Sequence, residues 1–134
     1  FFMNRGVHFE IQADNPERAA KFYSDIFGWK IDKWEGGFME YWMVMTADKD
    51  SKDIGINGGL LRRPVQSTAE QCGTNAFVCT VDVDNFDATA AKIIAAGGSI
   101  AMPKFALPKM AWQGYFLDTE GNTFGLHQAD ENAA

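Results

Sequence analysis

The sequence predicts an α+β fold made of two tandem β-α-β-β-β units. Strand and helix patterns occur in the same order twice within 134 residues, and the helix borders recur at a fixed distance. Asp14 and Asp84 begin the predicted helices, Gly28 and Gly98 follow them, and both pairs lie 70 residues apart. Since neither unit can bury its sheet face easily alone, we expect them to form one domain.

In the first unit, residues 7–12 alternate apolar and polar side chains, which predicts a half-buried strand. Asp14 or Asn15 can cap the next helix, and Pro16 suits its first turn. This helix is expected to run to about Phe27 and to end at a glycine. Further strands are predicted at 29–34, 38–46 and 54–61, the first two joined at Gly36-Gly37.

The second unit repeats this order with a strand at 75–83 and a helix that ends near Ala96. A short strand at 99–102 precedes a loop at 103–110, which is either the rim or lid of a site or a plain connection. Two strands at 112–118 and 122–128 follow. We expect one domain over 4–128, with repeat one at 6–61, a linker at 62–74, repeat two at 75–128 and a loose polar tail at 129–134.

Charge and composition exclude several classes of protein. The chain has 12 basic and 18 acidic residues, a net charge of −6, which argues against a nucleic-acid partner. No apolar run approaches the roughly 18 residues of a membrane helix, and no signal-peptide pattern is visible. Cys72 and Cys79 are too few for a disulfide framework or a zinc site. We therefore expect a cytoplasmic protein without a membrane partner, with two free thiols, Cys79 among them as a small core residue.

Several segments together resemble the vicinal oxygen chelate superfamily, which includes glyoxalase I, extradiol dioxygenases and bleomycin-resistance proteins. They are His8-Phe9-Glu10-Ile11, the stretch 15–23, Phe27-Gly28-Trp29 and Asp118-Thr119-Glu120-Gly121-Asn122. The resemblance covers the chain from Gly6 to about Gln128, and the chain is similar to glyoxalase-related members of unknown activity. It implies a curved mixed sheet around a cavity with helices outside, a small-molecule ligand and a homodimer.

The resemblance also indicates where a metal would bind. Metal-using members take ligands, usually His and Glu, from the first and fourth strands of each half, and the metal polarises a substrate with two neighbouring oxygens. His8 matches the first-strand position and Gly125 the fourth; the 70-residue offset adds Val78 and Gly55. Because a stable site needs about three protein ligands, we expect no metal cofactor and not the usual glyoxalase I or dioxygenase chemistry.

An irregular metal site is the alternative. Strand alternation places His8 and Glu10 on one face of their strand, and Gly125 and His127 on one face of theirs. If these faces line the same cavity, His8, Glu10 and His127 form a ligand set of suitable types for a divalent ion.

His8 and Glu10 are also the predicted catalytic residues. A carboxylate on the inner face of a strand is costly to bury unless it is paired, and the imidazole on the same face can pair with it. Such a couple can act as a general base.

The predicted ligand-binding residues are Trp42, Asn57, Trp112 and His127. Trp42 is assigned to the cavity because the methionine-rich face of its strand, which includes Tyr41, is expected to pack on a helix.

Three functions follow from these observations. The first is a small-molecule-binding protein, or an enzyme that works without a tightly held metal. The second is a metal-dependent lyase, isomerase or dioxygenase of glyoxalase type with the irregular ligand set. The third is a resistance-type module that sequesters a drug or metabolite without turnover.

Overall fold

The computed structural model describes Arg5 and residues 7–36, 40–64 and 78–134. The chain divides into two compact units, Phe1–Val65 and Gln66–Ala134. Among these described residues, each unit has one four-stranded mixed sheet and one α-helix. The division falls inside the segment expected to be the linker, of which 65–74 lies outside the described residues.

The first unit has the predicted β-α-β-β-β order. Its sheet runs β1-β4-β3-β2, with β1 parallel to β4 and the other pairs antiparallel. Its elements are β1 (Phe9–Ala13), α1 (Pro16–Phe27), β2 (Lys30–Lys33), β3 (Trp42–Met45) and β4 (Gly58–Arg62).

The second unit repeats this topology, with sheet order β5-β8-β7-β6 and β5 parallel to β8. The expectation of an α+β fold in two β-α-β-β-β units is confirmed, and each unit has its own sheet. Its elements are β5 (Thr80–Asp82), α2 (Phe86–Ala95), β6 (Ser99–Leu107), β7 (Ala111–Leu117) and β8 (Thr123–Ala129).

Helix α1 begins and ends where the sequence predicts. The side chain of Asn15 accepts a hydrogen bond from the backbone N–H of Arg18 at 3.1 Å, and Pro16 occupies the first helical position. Gly28 has φ +71° and donates its N–H to the carbonyl of Ser24. This left-handed turn sends the chain back, so that Trp29 stacks on Tyr23 with ring centroids 5.4 Å apart.

The core of the first unit lies between α1 and one face of its sheet. Phe9, Ile11, Trp29 and Ile31 pack around its edge, partly buried. The fully or nearly buried members are Ala13, Ala19, Trp42, Val44 and Leu60. Burying these apolar side chains is the main favourable contribution to the stability of this unit.

Strand β6 differs from the prediction. Residues expected to form a rim, lid or connecting loop after Met102 continue the strand to Leu107. Pro103 is tolerated there because β6 is an edge strand and its pairing with β7 shifts register between Met102 and Phe105. A proline has no N–H to donate, so it fits an edge strand at such an irregularity.

The tail and one cysteine also differ from the prediction. Ala133 is buried; its carbonyl accepts from Lys109 N at 2.9 Å, and Asp130 N donates to Met110 O. The tail is therefore held against the β6–β7 turn rather than loose. Cys79 is exposed, because it lies just before the short strand β5 instead of in the core. Neither helix in the described part of the chain is long and apolar enough to cross a membrane.

Replacing Gly58 with alanine will destabilise the protein. A Cβ at Gly58 would lie 2.5 Å from the Phe9 carbonyl oxygen of the paired strand. We expect a loss of about 1–3 kcal/mol in the free energy of unfolding, measured by urea titration, because two backbones must separate. Gly55→Ala is the matched control, since a Cβ there meets nothing within 4 Å. Equal effects of the two substitutions would contradict this account.

Candidate functional site

The candidate site lies on the sheet face of the first unit that is turned away from its core. Phe9 and Ile11 of β1 pack against the core, so alternation puts His8 and Glu10 on the opposite face. Both of these polar residues are exposed. Tyr41, just before β3, is half-buried and reaches over the same face.

A tyrosine joins the two predicted catalytic residues. The Tyr41 hydroxyl donates to Glu10 Oε2 at 2.8 Å, and His8 Nε2 lies 3.0 Å from the same hydroxyl oxygen. The structure therefore brings His8 and Glu10 together through a third side chain, in a hydrogen-bonded row. Sequence reasoning missed Tyr41 because it assigned this residue to the helix-packing face.

Gly59 provides the space for this arrangement. It is paired with Glu10 across the parallel β1–β4 register. A Cβ at Gly59 would collide with the phenol ring and hydroxyl of Tyr41. Because glycine has no side chain, Tyr41 can lie across β4 and reach Glu10 on β1.

The environment of Tyr41 raises the pKa of its hydroxyl group. Desolvation, followed by the hydrogen bond to Glu10 and the negative charge of Glu10, raises the pKa of Tyr41 from 10.0 to about 12. At neutral pH this phenol is a hydrogen-bond donor, and it cannot serve as a base.

The predicted faces of β3 are reversed. Trp42 and Val44 are buried in the core with Ala19 of α1, whereas Met43 is 43% exposed. The assignment of Trp42 to a cavity face is therefore wrong. The pattern was ambiguous because both faces of this strand carry large apolar side chains, and only packing against α1 distinguishes them.

Asn57 and Trp112 have local partners. The side-chain oxygen of Asn57 accepts from the backbone N–H and the hydroxyl of Thr46, which joins the end of β3 to the start of β4. The Trp112 indole N–H donates to Asp130 at 3.0 Å, and the Lys104 ammonium lies 4.6 Å from its ring centroid. These contacts hold both side chains in place, and ligand binding by either residue stays a prediction.

His127 belongs to the second unit, where its partner is acidic. Its Nδ1 lies 3.1 Å from Asp82 Oδ1 on the neighbouring strand. Two residues earlier on both strands, Thr80 pairs with Gly125, and the Gln113 amide reaches the Thr80 hydroxyl at 3.5 Å.

The two units share this cross-strand arrangement. Glu10 and Thr80, 70 residues apart, are paired with Gly59 and Gly125 respectively. Gly59 is therefore the counterpart of Gly125. The prediction that Gly55 corresponds to Gly125 is wrong. Gly55 lies in the loop before β4, and the 70-residue offset fails there because the connecting loops of the two units differ in length.

The residues present do not fit the usual three-ligand metal centre. A Cβ at Gly125 would meet the Thr80 hydroxyl at 2.6 Å and Gln113 Nε2 at 3.0 Å, so the position of the usual acidic ligand is filled by other side chains. In the first unit His8 Nε2 is engaged by Tyr41. Within residues 7–36, 40–64 and 78–134, no group of three or more His, Cys, Asp or Glu is placed to hold a metal ion.

The chain belongs to the glyoxalase/bleomycin resistance protein/dioxygenase superfamily, whose family pattern matches residues 5–126. It is 32% identical over 118 residues to a glyoxylase-like domain-containing protein of Didymella fabae, covering 87% of this chain and 88% of that one. It is also 26% identical to a Mycobacterium bovis protein named as a glyoxylase, CFP32, covering 92% of this chain. The chain spans only 45% of that mycobacterial relative.

Solved structures share the fold at low sequence identity. A glyoxalase family protein of Bacillus cereus aligns with TM-score 0.71 and 16% identity over 96% of both chains. The fosfomycin resistance protein FosX of Listeria monocytogenes aligns with TM-score 0.70 and 15% identity, again over 96% of both chains. These likenesses establish the fold, while the site has to be argued from the residues of this chain.

The raised pKa of Tyr41 will be visible in an alkaline titration. Phenolate absorbance of the wild type should include one group titrating near 12, which Tyr41→Phe should remove. Because the folded pKa exceeds the ordinary value of 10.0, the stabilisation it contributes is present below pH 10 and is lost as the pH rises towards 12. Glu10→Gln should lower this pKa while leaving part of the shift, since desolvation is its largest cause. An unchanged titration in Tyr41→Phe would contradict the assignment.

Proposed function

We propose that this protein binds a small organic molecule at His8, Tyr41 and Glu10, without the usual metal centre of its superfamily. The observation that carries the proposal is the hydrogen-bonded row formed by these three side chains on the accessible sheet face. A homodimer and a cytoplasmic location are further proposals, which rest on the sequence resemblance and composition.

The charge of Glu10 supports a binding role. Some acidic residues of this unit have cationic partners: Glu40 pairs with Arg62 at 3.0 Å, and Asp14 pairs with Arg63 at 3.1 Å. In the described part of the chain no Lys or Arg forms an ion pair with Glu10. Its carboxylate accepts from the Tyr41 hydroxyl and is otherwise available to a ligand.

The same groups can support proton transfer. Tyr41 keeps its proton and orients both neighbours, while the second nitrogen of His8 and the second oxygen of Glu10 can accept protons from a bound molecule. We therefore propose ligand binding as the basic function, with general-base chemistry by His8 or Glu10 if the ligand carries a suitably acidic proton. Stoichiometric binding without turnover would instead indicate a sequestering module.

A ligand screen with matched variants will test the proposed site. A library of small metabolites and drug-like molecules should contain compounds that raise the melting temperature of the wild type in proportion to ligand concentration. His8→Ala and Glu10→Gln should each weaken the affinity by about tenfold or more, since each removes a hydrogen bond that involves a charged or strongly polar group. Glu40→Gln is the control, because it removes a carboxylate that already has Arg62 as its partner. Ligands that bind all four proteins equally would refute the proposed site.

Metal analysis will test the second part of the proposal. After purification without an affinity tag and dialysis against Zn, Ni, Mn, Fe or Co in turn, mass spectrometry should find well below one ion per chain. The physical reason is that a stable site requires about three protein ligands, and the described residues bring too few together. Near-stoichiometric metal that is lost in His8→Ala would show that an irregular ligand set operates instead.

A further inference from the structure

We propose that the His8–Tyr41–Glu10 site selects ligands that carry an amine, protonated to ammonium at neutral pH, and that Tyr41 is the residue that positions its two neighbours for this. This inference rests on the proposed function of the same site. It follows from the direction of each proton in the hydrogen-bonded row.

The single hydroxyl proton of Tyr41 can serve only one neighbour. A glutamate carboxylate at neutral pH is an acceptor only, so the 2.8 Å contact requires the phenol to donate to Glu10 Oε2. The phenol oxygen then has only lone pairs for His8, at 3.0 Å. His8 must therefore donate from Nε2, which fixes the neutral imidazole as the Nε2–H tautomer.

The atoms left for a ligand are all acceptors. In the neutral tautomer His8 Nδ1 has a lone pair, and Glu10 keeps Oε1 and the negative charge. Neither atom has a hydrogen-bond partner among the described residues. The Tyr41 hydroxyl has already given its proton. A ligand that binds here must supply donors, and an ammonium group supplies up to three of them.

The charges around the site favour a cation. Three basic residues of this unit are engaged with other acids: Arg62 with Glu40, Arg63 with Asp14, and Lys30 with Asp32. The whole chain carries a net charge of −6. A carboxylate or phosphate ligand would meet the like charge of Glu10 and would find no donor among the three side chains when His8 is neutral. A neutral hydroxyl could donate one hydrogen bond, without the gain from opposite charges.

Three small phenyl compounds can distinguish binding of an amine from binding of an alcohol or a carboxylate. Benzylamine and benzyl alcohol differ only in the polar group, and benzoate has a carboxylate on the same phenyl ring; each is titrated into the full chain at neutral pH. The readout is the ¹⁵N signals of the imidazoles, which are simple to assign because the chain has two histidines. Benzylamine should shift the His8 signals and bind at least about fivefold more tightly than benzyl alcohol. Benzoate should leave them unchanged, and Glu10→Gln should abolish the preference for the amine.

The same spectra test the role of Tyr41 without any ligand. In the wild type the ¹⁵N shifts of His8 should show the hydrogen on Nε2. Tyr41→Phe should remove this bias, while Tyr115→Phe, which deletes the same atom in the second unit, should keep it. A urea titration of both variants confirms that they fold. A wild-type His8 with its hydrogen on Nδ1 would overturn the positioning role.

The outcomes distinguish this inference from the proposed function. If benzoate binds as well as benzylamine, or if none of the three probes moves the His8 signals, the preference for amines is wrong. The proposed function would still stand if the library yields a ligand whose binding is lost in His8→Ala. If no ligand depends on His8 or Glu10, the proposed function itself fails.

Discussion

The absence of side chains at Gly58 and Gly59 is the constraint on which the first unit depends. On the core side, a Cβ at Gly58 would meet the Phe9 backbone and ring, so this glycine permits the close parallel pairing of β1 and β4. On the opposite side, Gly59 leaves the space through which Tyr41 reaches Glu10. Two adjacent residues of one strand thus determine both the packing of the core and the composition of the site.

The second unit uses the same geometry with different chemistry. Gly125 corresponds to Gly59, and the side chain that crosses over it is Gln113, which reaches Thr80. Gln113 is 6% exposed, whereas His8 and Glu10 are exposed. Thr80 is exposed, but its hydroxyl gives the buried Gln113 amide a hydrogen-bond partner, and a buried amide without one would be costly. The same topology therefore positions a structural contact, Gln113 with Thr80, in the second unit. In the first unit it positions the exposed, hydrogen-bonded side chains of the candidate site.

Membership of the superfamily and the chemistry of the site answer different questions. The topology and the motif 22–29 are explained by packing: Gly28 turns the chain and Trp29 stacks on Tyr23. These features are needed for the fold, whichever reaction or ligand a member has. Of the positions that the resemblance assigns to metal ligands, His8 hydrogen-bonds to Tyr41 and Gly125 has no side chain, so function is inferred from the contacts of this chain's own residues.

The sequence by itself determined the order of the elements, the borders of α1 and the opposite faces of β1, because capping residues and strict alternation are local signals. It also placed His8 and Glu10 on one face. Only the tertiary structure decided that Tyr41 joins them, that Trp42 is in the core, and that Pro103 lies within an edge strand. The physical reason is that these features depend on which strands pair and which face meets the helix. Where both faces of a strand are apolar, as in β3, local alternation carries no information about that choice.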